Sequence, residues 1–252
     1  MAQPDGGPRR STAPTRSSTL PANRLRDTDG GLRTRRASAT AEFTPRGASS
    51  RRSAPLEKPA AFLSASAVGY YGSRGDDELT EESAPGHDFL ATVCRAWEAE
   101  ALRAAGATRV VLLRTGLPLE RSGGALPRIA LPFRFLAGGP VGSGRQYWSW
   151  IHRDDWVAMT IWVLHASAVS GPLNLTAPTP VTNREFAAAL GRVLKRPSSL
   201  PAPAFALRLL LGEMADALLL AGQRVIPAKA KAHGFRFRYA ALEPALVAAW
   251  RR

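Results

Sequence analysis

Two short apolar runs with one amphipathic stretch between them constrain this 252-residue chain more than any other feature. Ala60–Leu63 opens the stretch Phe62–Gly72 (FLSASAVGYYG), and Thr108–Leu113 (TRVVLL) is the second run. Neither alternates as a half-exposed strand would, so both read as parallel strands covered on both faces. Between them Asp88 can cap a helix running to about Ala105, with Gly106 ending it. Phe89, Val93, Trp97 and Ala101 recur every four residues and are expected to form its buried face, with Cys94 beside it as a small core residue. A strand, helix and strand in this space close as a right-handed βαβ unit with its strands adjacent and parallel. Ligands of open α/β sheets bind beyond the carboxyl ends of the strands. Ser66 is therefore expected at the rim of a cleft with its hydroxyl free. Arg114-Thr115-Gly116 is expected beside it.

Residues 1–55 have the opposite character. They contain no Val or Ile and, as large aliphatic or Phe residues, only Leu20, Leu25, Leu32 and Phe43. Such a segment cannot bury enough apolar surface to offset its ordering entropy, so a disordered tail is expected. Two other readings are a transit peptide, against which Asp5, Asp27, Asp29 and Glu42 count, and an upstream stretch joined to a truncated gene. The domain boundaries read as 1–55 for the tail, 56–200 for a partial α/β domain and 201–252 for a mostly helical C-terminal part.

Net charge is +14, carried by 34 basic residues of which only Lys58, Lys195, Lys229 and Lys231 are lysine. That balance suits nucleic acid, anionic lipid or phosphate-bearing ligands. Charge is the only argument for nucleic acid, because no recognition motif accompanies it. The single cysteine, Cys94, excludes an intramolecular disulfide and a cysteine-based zinc site. Arg208, Glu213 and Asp216 interrupt the most apolar stretch, so no membrane span is expected, and the cytoplasm is the expected location.

The remaining elements follow from local signals. Asp76, Asp77, Glu78, Glu81 and Glu82 make an acidic loop. Pro127–Leu136 reads as a helix that Pro132 would kink or split. Gly138–Gly144 reads as a hairpin or mobile loop. Tyr147–Ile151 reads as a strand, and His152–Asp155 as the opening of a helix to about His165. Leu173–Leu175 is a further strand. Thr182-x-x-Glu185 is a capping box for a helix over Asn183–Leu194. Pro203–Leu220 and Leu242–Trp250 close the chain as helices.

Taken in order, SASAVGYYG, DFLATVCRAWEAE, RVVLLRTG, GSGRQYWSWIHRDD and NLTAPTPVTNREF resemble the extended short-chain dehydrogenase/reductases. More narrowly, they resemble an epimerase-like branch related to nucleoside-diphosphate-sugar epimerases. GEMADALLLAGQRVIPAKAKAHGFRFRY resembles the small C-terminal domain of that branch. The resemblance implies the C-terminal half of a Rossmann-like parallel sheet, an NAD(P) cofactor and a small-molecule substrate such as a nucleotide-sugar. It places Ser66 at the family's catalytic serine. Ser64, Ala65, Arg114, Thr115 and Gly116 fall on the nicotinamide side of the cofactor. Tyr70, Tyr71, Arg145, Trp150 and His152 fall on the substrate side, with Asp155 in the motif ahead of the substrate lobe.

Two departures stand against full activity. The turn G-x-x-G-x-x-G of the family's first strand is read as absent, which removes the backbone N–H groups that hold the pyrophosphate. The family's Tyr/Lys pair is replaced by Leu90 and Cys94, and no tyrosine in the chain has a lysine four residues later. Hydride transfer at a carbinol needs a group to move the hydroxyl proton, and a serine is a poor acceptor. Tyr70, Tyr71 and His152 are the candidate substitutes. An oxidoreductase and a non-catalytic member of the same fold are the competing readings. The sheet edge left without strands is expected to favour homodimer formation or aggregation.

Overall fold

The computed structural model describes residues 59–205, 209, 212 and 219–251. The tail expected over residues 1–55 lies outside them, as does most of the helix expected over Pro203–Leu220. The βαβ unit forms as the pattern dictates. Strand β1 (Ala61–Ala67) and strand β3 (Arg109–Thr115) are parallel, with Ser66 opposite Arg114. A 3-10 turn (Val68–Tyr71) follows β1, then the short strand β2 (Glu78–Leu79). Helix α1 (Phe89–Leu102) begins where Asp88 accepts the Ala91 N–H at 2.8 Å.

Strand β7 (Gly171–Leu175) adds to the other side of β3, giving the parallel order β1-β3-β7. The expectation that β1 is covered on both faces is corrected: among the described residues it pairs only with β3, Phe62 and Ala65 are exposed, and Ser66 alone of its seven residues is buried. Val111, Leu113, Leu173 and Leu175 of the sheet pack with Met159 and Val163 of helix α3 (Arg153–His165). A second core joins Trp148, Trp150 and Phe186 to Leu242 and Leu246. It lies between helix α4 (Asn183–Leu194), which carries the expected capping box, and helix α6 (Leu242–Arg251).

The run Tyr147–Ile151 is not one strand. Tyr147–Trp148 (β5) pairs antiparallel with Val181–Thr182 (β8), and Trp150–His152 (β6) pairs parallel with Leu117–Leu119 (β4). The break falls at Ser149, whose hydroxyl donates to Gln223 O at 2.6 Å and accepts the Val225 N–H at 2.8 Å. Helix α2 (Leu126–Arg134) is neither split nor ended by Pro132, and it stops two residues later. The glycine loop 138–144 is stitched to the chain at 200–202, with Gly142 N donating to Ala202 O at 2.9 Å.

The expected buried face of α1 is corrected. Phe89 and Trp97 are 77% and 56% exposed, and the inward stripe is Ala91, Cys94, Glu98 and Ala101. Small side chains let α1 approach the sheet and the 3-10 turn closely, and Glu98 finds a cation there, so polarity at one position outweighs the apolar period. Trp97→Gln should therefore change the urea-unfolding free energy by less than about 0.5 kcal/mol, as for other exposed positions. Ala91→Leu, by contrast, should cost about 1–3 kcal/mol through overpacking. A loss of several kcal/mol from Trp97→Gln would put that side chain back in the core.

Candidate functional site

A seven-residue strand with the sequence RVVLLRT carries a cation into a buried position, and that cation needs a partner. Arg114, 3% exposed, sits near the carboxyl end of β3. Its Nε and Nη2 donate to the two carboxylate oxygens of Glu98, each at 2.8 Å, in a bidentate pair between β3 and α1. Nη1 donates to the Tyr71 hydroxyl at 2.9 Å and to the Glu81 main-chain oxygen at 3.3 Å. The guanidinium also lies 3.4 Å over the Tyr70 ring, a cation–π contact. Burial alone would lower its pKa, but the bonds from Glu98 and Tyr71 outweigh that and raise it. Arg114 therefore stays charged.

The bonds continue on both sides. Ser66 Oγ donates to Glu98 Oε1 at 2.7 Å. The Tyr71 hydroxyl donates to Asn174 Oδ1 on β7 at 2.7 Å, and Asn174 Nδ2 donates to Ile226 O at 3.0 Å. Each partner fixes the direction of the next proton. The expectation of a free Ser66 hydroxyl is thus corrected, because its proton is directed at Glu98 inside the fold. Tyr71 is fully buried instead of lining a rim. Burial pushes its phenol up to about 12, against the lowering pull of Arg114 and Asn174. Burial also raises the Cys94 thiol.

The other residues singled out from the sequence divide into two groups. Ser64 and Thr115 are half-buried and Ala65 is exposed on or near the strand ends. Gly116 passes so close to the break between β5 and β6 that an added Cβ would stand 2.3 Å from Ser149 O. Trp150 and His152 are buried, and His152 caps α3 by accepting the Asp154 N–H on Nδ1 at 3.1 Å. Arg145 alone of the substrate-side set opens fully to solvent. It lines a shallow cavity of about 330 Å³ with Ser73, Gly75, Asp76, Ser143 and Gln146. Tyr70 and Tyr71 are in the Arg114 cluster and do not line it.

The spacing G-x-x-G-x-x-G, read as absent, does occur at Gly69, Gly72 and Gly75. It does not open a helix, since β2 comes next and α1 starts only at Phe89. Gly72 has φ +64° and lies against Gly86, where an added Cβ would stand 2.7 Å from Gly72 N. Gly72 and Gly86 let two backbone segments approach closely. Among the described residues, then, no glycine turn opens a helix to receive a pyrophosphate, and no cluster of three or more His, Cys, Asp or Glu is placed to hold a metal. No described helix is long and apolar enough to cross a membrane.

Glu98, Glu81 and Asn174 are the site residues that sequence reasoning missed. The usable signal for Glu98 was the unpaired Arg114 in an otherwise apolar strand, together with the small residues at 91, 94 and 101. Glu81 was hidden among the five acids of its loop.

Residues 202–249 match the family model DUF1731, a domain of unknown function. An epimerase family protein of Mycobacterium leprae is 47% identical over 186 residues, covering 73% of this chain and 61% of its own length. The crystal structure of human epimerase family protein SDR39U1 with NADPH superposes with a TM-score of 0.73 at 36% identity, over 77% of this chain and 66% of that one. A nucleoside-diphosphate sugar epimerase from Corynebacterium glutamicum superposes with a TM-score of 0.62 at 36% identity, over 74% and 36%. The chain thus spans about three fifths of the length of the curated relative.

Two outcomes test the cluster. Arg114→Met should cost about 3–5 kcal/mol by stranding Glu98, and adding Glu98→Gln should recover part of it, both read by urea unfolding. The Tyr71 phenol has a raised pKa in the fold, so its contribution is intact below pH ~10, where the unfolded phenol is still neutral, and is lost between ~10 and about 12. Alkaline titration at 295 nm should find one phenol that ionises only as the fold opens. Simple titration of all four near pH 10 would contradict its burial.

Proposed function

The chain belongs to the epimerase family of the extended short-chain dehydrogenase/reductase fold, and from that premise we propose that it carries the nicotinamide side and the substrate side of an NAD(P)-dependent epimerase- or dehydratase-like oxidoreductase. The carrying observation is the strand register. Ala67 lies opposite Thr115 and Thr115 opposite Leu175, so three parallel strands end on one edge, where ligands of open α/β sheets bind. Gly116, without room for a side chain, keeps that edge low. Ser64, Ala65, Thr115 and Gly116 would border the nicotinamide. Arg145 in the shallow cavity supplies a cation for a phosphate-bearing substrate, and the Corynebacterium neighbour makes a nucleotide-sugar the natural class. A buried lone cysteine fits a reducing compartment such as the cytoplasm.

The described residues do not fit the pyrophosphate of a dinucleotide, because no strand–glycine turn–helix is among them. What these residues can do is orient: β1 and β3 present their ends while Arg114 and Glu98 hold them together. A second reading, a non-catalytic member of the fold, is favoured by one observation. The Ser66 proton is committed to Glu98 and Tyr71 is sealed, so neither offers an acid or base to the cleft.

Titration of the isotope-labelled 252-residue chain with NADPH and with UDP-glucose tests the proposal. NADPH should bind weakly, at about 1 mM or above, and shift the amides of Ala65, Thr115 and Gly116. UDP-glucose should shift Ser143 and Gln146, and Arg145→Ala should abolish that response. Absence of strand-end shifts at saturating NADPH would remove the oxidoreductase reading and leave the non-catalytic one. Micromolar binding would mean that this chain holds the pyrophosphate after all.

A further inference from the structure

The segment matched to a domain of unknown function makes four contacts that a separately folded domain would not need. Residues Arg224–Val225 (β9) extend β2 as a parallel strand. Helix α5 (Ala228–Ala232) lies against β7, with Ala230 buried in the core of the sheet. Two carboxylates from outside the segment accept hydrogen bonds from its backbone. Asp155, 2% exposed, takes Arg238 N on one oxygen and Tyr239 N on the other, both at 2.9 Å. Glu81, 5% exposed, takes Lys229 N at 3.2 Å on one oxygen and Asn174 N at 3.1 Å on the other. Peptide N–H groups are seldom reached by buried acids far away in sequence, and such bonds are among the stronger ones.

We infer that residues 223–240 are a clamp that positions the candidate site, with Glu81 and Asp155 as its two latches. Glu81 is the node. Its carboxylate holds α5, and its main-chain oxygen accepts from Arg114 Nη1 at 3.3 Å. Asn174 adds a second path, from Ile226 O through its own side chain to the Tyr71 hydroxyl and on to Arg114. From Arg114 the bonds reach Glu98 and then Ser66. The second latch acts on the other site motif. Asp155 fixes Tyr239, whose ring lies 3.9 Å from that of His152 at 37°. Both parts of the site singled out from the sequence, Ser66–Arg114 and His152–Asp155, are thereby tied to one C-terminal segment. The clamp does not depend on whether a dinucleotide binds.

The side chain of Lys229 does not carry this role. Lys229 Nζ donates to Ser170 O and Pro172 O, at 2.9 and 2.7 Å, which docks α5 on β7 without touching the cluster. The distinction gives the experiment its control. Amide hydrogen exchange and the side-chain Nε–H resonance of Arg114 are to be measured on the full 252-residue chain. Glu81→Gln turns one oxygen into an N–H donor facing a backbone N–H. It should speed exchange at Lys229 and Asn174 about ten- to hundredfold and move the Arg114 Nε–H signal. Asp155→Asn should do the same at Arg238 and Tyr239 and shift the His152 ring signals, while leaving Lys229 protected.

A merely structural strap would lose protection within the segment without moving Arg114 or His152, and that result overturns the inference. So does unchanged exchange at Arg238 and Tyr239 in Asp155→Asn. If Glu81→Gln does not fold, Lys229→Pro removes the backbone donor to Glu81 in addition to the side chain that Lys229→Ala removes, in the first turn of α5, where no intrahelical bond is lost. Lys229→Pro should move the Arg114 signal beyond any effect of Lys229→Ala. Equal effects from the two substitutions overturn the inference as well.

Discussion

A guanidinium buried between a strand and a helix is the constraint on which the rest of this structure depends. Taking Arg114 and Glu98 out of water costs several kcal/mol per ion, and only good geometry offsets it. The geometry is bidentate, with both bonds at 2.8 Å, and Nη1 donates in addition to Tyr71 and the Glu81 main chain. Meeting those demands decides how α1 is rotated on the sheet. It also decides why the chain must fold back at 69–86, and why β7 carries an asparagine where an aliphatic residue would otherwise fit. A hydrophobic pair could hold β3 and α1 together at lower cost. It could not direct the Ser66 proton or hold Tyr71 in place.

The sheet was legible in the sequence because its code is simple. Apolar runs bounded by turn signals read as buried parallel strands, and β1, β3 and β7 lie where those runs are, with the parallel pairing that the intervening helix requires. Caps were equally legible, since Asp88 and Thr182 satisfy their helix ends through local bonds that spacing alone specifies. Rotation of α1 was not. Periodicity counts apolar residues, and it preferred Phe89, Val93 and Trp97. The structure instead turns inward the stripe that includes one carboxylate, because a long-range charge partner is invisible to a local window. The break at Ser149 escaped for the same reason. Its hydroxyl bonds to residues more than seventy positions away.

The site was legible only in its positions. Ser66 and Arg114 do stand side by side on adjacent strands, as the βαβ reading implied. What the resemblance could not convey is where their protons and charges are spent. Ser66 donates to Glu98, and Arg114 donates to Glu98, Tyr71 and the Glu81 main chain, whereas Arg145 is exposed. The glycine spacing at 69–75 makes the same point from the other direction. It has the spacing of a phosphate-binding turn and none of the context, since neither a helix nor its free N–H groups follow.

The exposed apolar surface of α1 and the open side of β1 then take on a joint meaning. Phe89 and Trp97 are outward because the charged pair requires the opposite face, and among the described residues no strand pairs with the other edge of β1. Neither feature stabilises this chain in isolation. An edge strand with Phe62 and Ala65 exposed attracts other strands unless something covers it. The cluster joins β1 to β3, β7 and the C-terminal segment by a continuous run of hydrogen bonds. Covering that edge would therefore be felt at Ser66 first, and through Glu98 and Arg114 at Tyr71 and Asn174.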